Sequence, residues 1–331
     1  MFKVRIEPQG RDVLVRPDQS VLDAALAAGL NLPHSCKSGH CGSCRARLIS
    51  GAIDYPLGQP LGITKQESAE GAVLLCRAQP RSDLTIASRV IARAGTAEIK
   101  TLPCRVETLT LLTPDVMQLM LRLPAVEHLD FKPGQYLDVL LDRGRRRSFS
   151  IACPPHDSKL LELHLARAPG AGFTTHVFDG MRPGELLRVE GPLGQFIYEH
   201  APEPLLLVAG GTGFAPIKSI LRHVQETGLT RPIHMYWGAR TVEGLYEERL
   251  VQQWRSAHSN LEYSAVLSES DARGPRGWVH ERVASDYASL DAADIYAAGP
   301  PAMIVALRQL LADRKIGEQR LRFDSFDAAP S

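Results

Sequence analysis

Apolar and polar positions alternate through the first part of the chain. Residues 3–8 and 12–16 do so on either side of Gly10-Arg11, which predicts a hairpin. Ser20 precedes Val21-Leu22-Asp23-Ala24-Ala25-Leu26-Ala27-Ala28, an amphipathic run that stops at Gly29, and this predicts a capped helix. Strands over 45–49 and 84–87 and a short helix over 65–70 complete a compact mixed sheet with a helix across it. Residues 91–103 have weak periodicity and read as a linker. Six short strand patterns follow, over 104–112, 117–123, 136–141, 148–152, 160–166 and 186–190, separated by turns such as Lys132-Pro133-Gly134-Gln135 and Arg182-Pro183-Gly184. With one helix over 174–178, they predict a closed antiparallel barrel. From Pro204 the pattern changes. A continuous apolar run at 205–209, as in a strand buried on both faces, is followed by helix 217–224, strand 233–237, helix 246–256, strands 261–266 and 295–298, and helix 302–313. That alternation predicts a doubly wound parallel sheet. The expected domains are 1–92, a linker 93–102, 103–200 and 201–331.

Composition narrows the function classes. With 44% apolar and 23% charged residues, the chain is globular, and its net charge of +1 provides no basic field for nucleic acid or anionic membrane. The opening Met-Phe-Lys-Val-Arg-Ile-Glu reads as a strand rather than a signal peptide, and no apolar run reaches the ~18 residues of a membrane span. Six cysteines, four of them in metal-like spacing, fit a reducing compartment. A cytoplasmic monomer is the expectation. Cys104 and Cys153 have no partner pattern and read as small buried apolar residues. The eleven histidines show no ligand spacing.

The densest chemistry is Cys36-x4-Cys41-x2-Cys44, followed after 31 residues by Cys76. Four thiolates at this spacing match the plant-type pattern for a 2Fe–2S cluster, with Gly39 and Gly42 suited to a tight loop that turns backbone N–H groups toward sulfur. Zinc held by four cysteines is a second reading, although zinc ribbons usually show two Cys-x2-Cys pairs and only one is present. Disulfides are a third. Three further motifs lie on the predicted elements. Arg147-Ser148-Phe149-Ser150 falls on a barrel strand. Gly170-Ala171-Gly172-Phe173-Thr174-Thr175 opens a helix, where a turn can receive an anion. Gly210-Gly211-Thr212-Gly213-Phe214-Ala215-Pro216 joins a buried strand to a helix, without the full Gly-x-Gly-x-x-Gly fingerprint.

The cysteine spacing and residues 1 to about 92 resemble plant-type ferredoxins of β-grasp fold. The remaining motifs, in their order, resemble the ferredoxin–NADP⁺ reductase superfamily. The whole chain is similar to reductase components of bacterial oxygenases, and to reductases of deoxysugar dehydrases. The resemblance implies a multidomain α+β and α/β protein: β-grasp ferredoxin, antiparallel flavin barrel and doubly wound nicotinamide domain. It implies that Cys36, Cys41, Cys44 and Cys76 ligate the cluster. Flavin, expected to be FAD, would be held by Arg147, Ser148, Phe149 and Ser150, with Gly172, Phe173 and Thr174 at its phosphate. Arg147 would neutralise that phosphate, Phe149 would stack on the ring, and Ser150 would bond near the reactive N5 edge. Phe149 stands where the family commonly has Tyr.

For the dinucleotide, the resemblance implies Gly210, Gly211, Thr212, Gly213 and Pro216 at the pyrophosphate, Gly238 and Arg240 by the adenosine ribose, and Gly299 and Pro300 beside the nicotinamide, where Ala298 replaces the family's Cys. Glu243 near the ribose favours NADH and Arg240 pulls toward NADPH; NADH is the expectation. Asp324 and Phe326 match the family's terminal acid and aromatic and, with Ser150, are the expected catalytic positions. A flavin is needed between a two-electron hydride donor and a one-electron cluster. The implied partner is a terminal oxygenase, Rieske-type or di-iron. Residues 1–92 carry 11 Lys/Arg against 8 Asp/Glu, so an acidic docking surface near Lys37 and Arg45 is expected on it. The alternatives are a dehydrase reductase, a stand-alone flavin reductase or diaphorase with a regulatory cluster, and a zinc-stabilised binding module fused to a nucleotide sensor.

Overall fold

The computed structural model of the protein describes residues 1–34, 37, 39, 42–60, 62–88, 98–142, 145–168, 172–228, 230–269, 276–317 and 320–325. It forms two compact units, Met1–Thr96 and Ala97–Ser331.

In the first unit, β1 (Phe2–Glu7) and β2 (Arg11–Val15) make the expected hairpin, with Gly10 at φ +63° in its turn. Helix α1 (Val21–Ala27) begins where Ser20 Oγ accepts the N–H of Asp23, and it buries Val21, Leu22, Ala24 and Ala25 against the sheet. Then come β3 (Arg45–Ser50), β4 (Ile53–Asp54), α2 (Lys65–Ala69), β5 (Ala72–Leu74), β6 (Gln79–Pro80) and β7 (Leu84–Ala87). The main sheet has the order β2-β1-β7-β3-β5 and is mixed, β1 and β7 running parallel. A capping box between Thr64 and Glu67 starts α2.

The second unit begins with β8 (Lys100–Thr113), β9 (Val116–Arg122), β10 (Tyr136–Leu140), β11 (Arg146–Ser150), β12 (Leu160–Ala166), α3 (Phe173–Asp179) and β13 (Leu186–Leu193). Their antiparallel sheet has the order β11-β10-β13-β8-β9-β12, and a bridge between Ile151 and Leu163 closes its two edges. Strand β8 starts at Lys100, not at residue 104. Lys100, Thr101 and Leu102, read from sequence as linker, pair with Gly191, Glu190 and Val189 of β13. Their weak periodicity reflects a strand end with only Leu102 buried.

A five-stranded parallel sheet follows, from β14 (Leu205–Gly210), β15 (Ile233–Ala239), β16 (Leu261–Leu267), β17 (Asp294–Gly299) and β18 (Leu321–Ser325), in the order β16-β15-β14-β17-β18. Every residue of β14 and β17 is buried. Helices α4 (Phe214–Glu226), α5 (Glu248–Ala257), α6 (Val279–Asp286) and α7 (Pro301–Asp313) connect the strands. The order places the topological switch between β14 and β17, where open α/β sheets leave a crevice at the strands' carboxyl ends. Helix α6 has no counterpart in the sequence reading; it is short and polar, with only Val279 and Val283 buried. Among the described residues no helix is long and apolar enough to cross a membrane.

Candidate functional site

Of the four clustered cysteines, Cys44 and Cys76 lie in the described residues; Cys36 and Cys41 lie outside them. Cys44 ends the loop before β3 and Cys76 follows β5, strands that pair through Arg45 and Leu74. Both sulfurs are buried, and the backbone N–H of Cys76 points at Cys44 Sγ from 3.5 Å. The loop requires left-handed backbone, with Gly39 at φ +86°, Gly42 at +77° and Lys37 at +53°. A Cβ on Gly39 would lie 2.7 Å from Arg77 Cγ. Burial raises the neighbouring Tyr55 phenol, and negative charge at Cys44 and Cys76 adds to the shift. Cys44 and Cys76 form no disulfide, and a backbone N–H aimed at a buried cysteine sulfur fits an iron–sulfur cluster.

Strand β11 carries the flavin motif. Alternation places Arg147 and Phe149 on one face and Ser148 and Ser150 on the other. Arg147 is half-buried and has no carboxylate partner among the described residues; Nη1 reaches only Arg146 O, at 3.4 Å. Its neighbour Arg146 pairs with Glu190. An unpaired, half-buried guanidinium fits a phosphate ligand. Phe149 packs against the barrel core and lies 5.7 Å from the Phe173 ring, so the strand and the start of α3 meet. Ser148 gives its hydroxyl to Asp138. Gly172 is in extended backbone with open space around its Cβ position, so the site does not demand glycine there, and Thr174 follows in the first turn of α3.

The switch-point crevice is built from close backbone contacts. A Cβ on Gly213 would lie 2.0 Å from Ala298 O, and one on Gly299 would lie 3.0 Å from Gly210 Cα. Gly210, Gly211, Thr212 and Gly213 form the turn into α4, whose third residue is Pro216. Gly299 and Pro300 turn from β17 into α7. In register, Ala298 faces Asp324 and Gly299 faces Ser325. Asp324 is buried there. Ser325 Oγ, also buried, has no hydrogen-bond partner among the described residues. An orphaned hydroxyl beside a side-chain-free cradle fits a polar ligand such as the nicotinamide carboxamide. Phe326 lies outside the described residues. At the carboxyl ends of β15 and β16, Gly238 packs against Val279, and Arg240 Nε donates to Glu269 Oε1 at 2.7 Å. An acid engaging Arg240 is thus Glu269. Their separation of 29 positions concealed the pair.

A buried ionic group behind this crevice was also missed. Lys218 Nζ of α4 donates to Glu162 Oε1 at 2.8 Å and to both oxygens of Glu247, at 2.9 and 2.8 Å. His164 Nε2 sits 3.0 Å from Glu162 Oε1, and Nδ1 sits 3.0 Å from the Tyr246 hydroxyl. Burial alone would push the Glu162 carboxyl up. Hydrogen bonds and charge from His164 and Lys218 outweigh it and hold the group well below the usual carboxylate range. The two lone cysteines behave as expected: both are buried, which pushes the thiols of Cys104 and Cys153 up to about 12.

The fold and these sites define a class: an oxidoreductase with an iron–sulfur module, a flavin barrel and a dinucleotide-binding sheet. Residues 4–81 match the family model of the 2Fe-2S iron-sulfur cluster binding domain, 103–198 that of the oxidoreductase FAD-binding domain, and 207–309 that of the oxidoreductase NAD-binding domain. The chain is 33% identical over 327 residues to the CDP-6-deoxy-L-threo-D-glycero-4-hexulose-3-dehydrase reductase of Yersinia pestis, covering 98% of each chain. It is 35% identical over 319 residues to reductase component 2 of terephthalate 1,2-dioxygenase from Comamonas sp., covering 95% of this chain and 94% of that one. Among solved structures, the ferredoxin reductase in carbazole 1,9a-dioxygenase superposes with a TM-score of 0.70 at 26% identity over 98% of both chains. The chain belongs to this family of 2Fe–2S, FAD- and NAD-binding reductases. It is an NADH-dependent electron-transfer oxidoreductase.

Proposed function

We propose that the chain carries electrons from NADH to the terminal component of an oxygenase. The observation that carries this is the presence in one chain of all three modules, each with a site suited to its cofactor. Bound FAD supplies the conversion between a two-electron donor and a one-electron cluster. The chain's own residues position and neutralise. In this reading Cys36, Cys41, Cys44 and Cys76 hold the cluster, Arg147 meets the flavin phosphate, Phe149 and Ser150 contact the ring, and Ser148 braces the strand through Asp138. Gly172, Phe173 and Thr174 line the second phosphate contact. Gly210 to Gly213 and Pro216 take the dinucleotide pyrophosphate, Gly299 and Pro300 the nicotinamide, and Asp324 and Phe326 close the reaction site. Glu269 engages Arg240 at the ribose edge, and its carboxylate there favours NADH over the 2′-phosphate of NADPH. The domains are 1–92, the flavin barrel from β8 at Lys100 to residue 200, and 201–331, and the protein works as a cytoplasmic monomer.

The oxygenase reading draws on relatives named as reductase components of terephthalate dioxygenase and propane monooxygenase. A second reading, reductase for a deoxysugar dehydrase, is supported by the Yersinia relative. Reconstitution separates them. With NADH as donor, a terminal oxygenase component of the terephthalate dioxygenase or propane monooxygenase kind should be reduced, with NADPH about tenfold slower. The rate should fall about tenfold between low and high salt, because the loop of Lys37 meets an acidic surface; Arg45 nearby is already paired with Glu67 at 2.8 Å. Reduction of the dehydrase but not the oxygenase selects the second reading. A salt-independent rate contradicts charge-guided docking.

A further inference from the structure

Lys218 and its partners are placed where burial should be avoided. The side-chain exposures of Lys218, Glu162, His164 and Glu247 are 5%, 6%, 0% and 13%. Apolar residues of similar volume usually stabilise such a position as well or better, so an ionic group there points to fixed geometry. All three ammonium protons have acceptors, and Gln118 on β9 also donates to Glu162 Oε1. The oxygens and imidazole nitrogen of Glu162, His164 and Glu247 converge as they would on a metal ion, all within 4.8 Å of one another, and Lys218 Nζ supplies the cation.

The partners come from different parts of the unit. Glu162 and His164 lie on barrel strand β12; Lys218 lies on α4 and Glu247 precedes α5, both beside the parallel sheet. The next residue, Ser219, donates to Cys153 O at 2.7 Å, three residues past the end of β11. Consecutive residues of α4 thus grip β12 and the segment after the flavin strand. The same helix starts at the phosphate turn. There Phe214 stacks on Trp237 at 3.9 Å and 10°, and lies 6.2 Å from the His164 ring. Trp237 Nε1 donates to Gly211 O at 3.1 Å. A continuous line of contacts therefore runs from Glu162 and His164 through Phe214 and Trp237 to the carbonyl of Gly211.

We propose that Lys218 is a positioning residue for hydride transfer. By joining Glu162 of the barrel to Glu247 beside the parallel sheet, it sets the dinucleotide turn at a fixed height over the flavin strand. The assignment rests on the proposed placement of flavin and dinucleotide. It requires that loosening the bolt misplaces a dinucleotide that still binds, and transfer rates are steep in such displacement.

The test is anaerobic stopped-flow mixing of the full holoprotein with NADH, for wild type, Lys218→Met and Glu247→Gln. Flavin bleaching gives the limiting rate and the apparent NADH affinity, and the long-wavelength absorbance of NAD⁺ stacked on reduced flavin reports alignment. Titration calorimetry with NAD⁺ measures affinity independently. Both variants should keep FAD and NAD⁺ affinity within about threefold. Their limiting rate should fall on the order of 10- to 100-fold, with the long-wavelength band lost. Glu247→Gln leaves Lys218 paired with Glu162, so it decides the matter if Lys218→Met fails to hold FAD. Unchanged limiting rates in the folded variants, or a change confined to NADH affinity, overturn the assignment. Wild-type protein that NADH does not bleach overturns the flavin and dinucleotide reading itself, whereas a wild type and variants that bleach equally fast overturn the role of Lys218 alone.

Discussion

Replacing Cys76 by Ser should silence the chain toward one-electron protein acceptors while leaving its flavin chemistry in place. Cys76 is buried beside Cys44, with its N–H on Cys44 Sγ. A serine hydroxyl at this position is a harder and far less acidic ligand than a thiolate, so the cluster should be lost or strongly altered. NADH-dependent reduction of cytochrome c should fall by on the order of 100-fold or more, because loss of a ligand exceeds the usual cost of disturbing its surroundings. Reduction of a dye that takes electrons from the flavin should stay within about twofold, since the flavin strand and the crevice belong to the other compact unit. Equal loss of both activities would mean that the cluster loop also sustains the flavin site. Loss of neither would place the cluster off the electron path.

The second large effect is expected at Gly213. Its Cβ position lies 2.0 Å from Ala298 O, 2.4 Å from Ala298 C and 2.8 Å from Gly299 Cα. All three are backbone atoms and cannot swing aside as a side chain could. Gly213→Val therefore forces β14 and β17 apart at their carboxyl ends, where the dinucleotide crevice opens. The value of kcat/KM for NADH should drop on the order of 100-fold or more, since displacements of about 1 Å carry such costs. Dithionite, which needs no crevice, should still reduce the bound flavin. Steady-state kinetics beside a dithionite titration check both halves. Normal NADH kinetics in the variant would show that the crevice is not where the dinucleotide binds.

What could be read from the sequence was chemistry carried by neighbouring residues. The Cys-x4-Cys-x2-Cys spacing, the Arg147 strand and the Gly210 turn are each contained within about a dozen positions, and local backbone geometry explains their composition. The long apolar run at β14 signalled burial on both faces, which the parallel sheet bears out. Contacts across long separations could not be read. Glu162 and Lys218 are 56 positions apart, and in sequence both look like surface charges. Arg240 looked free to meet a 2′-phosphate until the fold brought Glu269 to it. The start of β8 was hidden because pairing with β13, not periodicity, makes Lys100–Leu102 a strand.

The central claim is that electrons enter as hydride at the crevice and leave singly through the cysteine cluster. An anaerobic titration of the purified protein with NADH, followed by optical absorbance and electron paramagnetic resonance, tests it most directly. The account predicts bleaching of the oxidised flavin together with one spin of a reduced 2Fe–2S cluster per chain. Bleaching with no spin, or zinc in place of iron at the four cysteines, would contradict it.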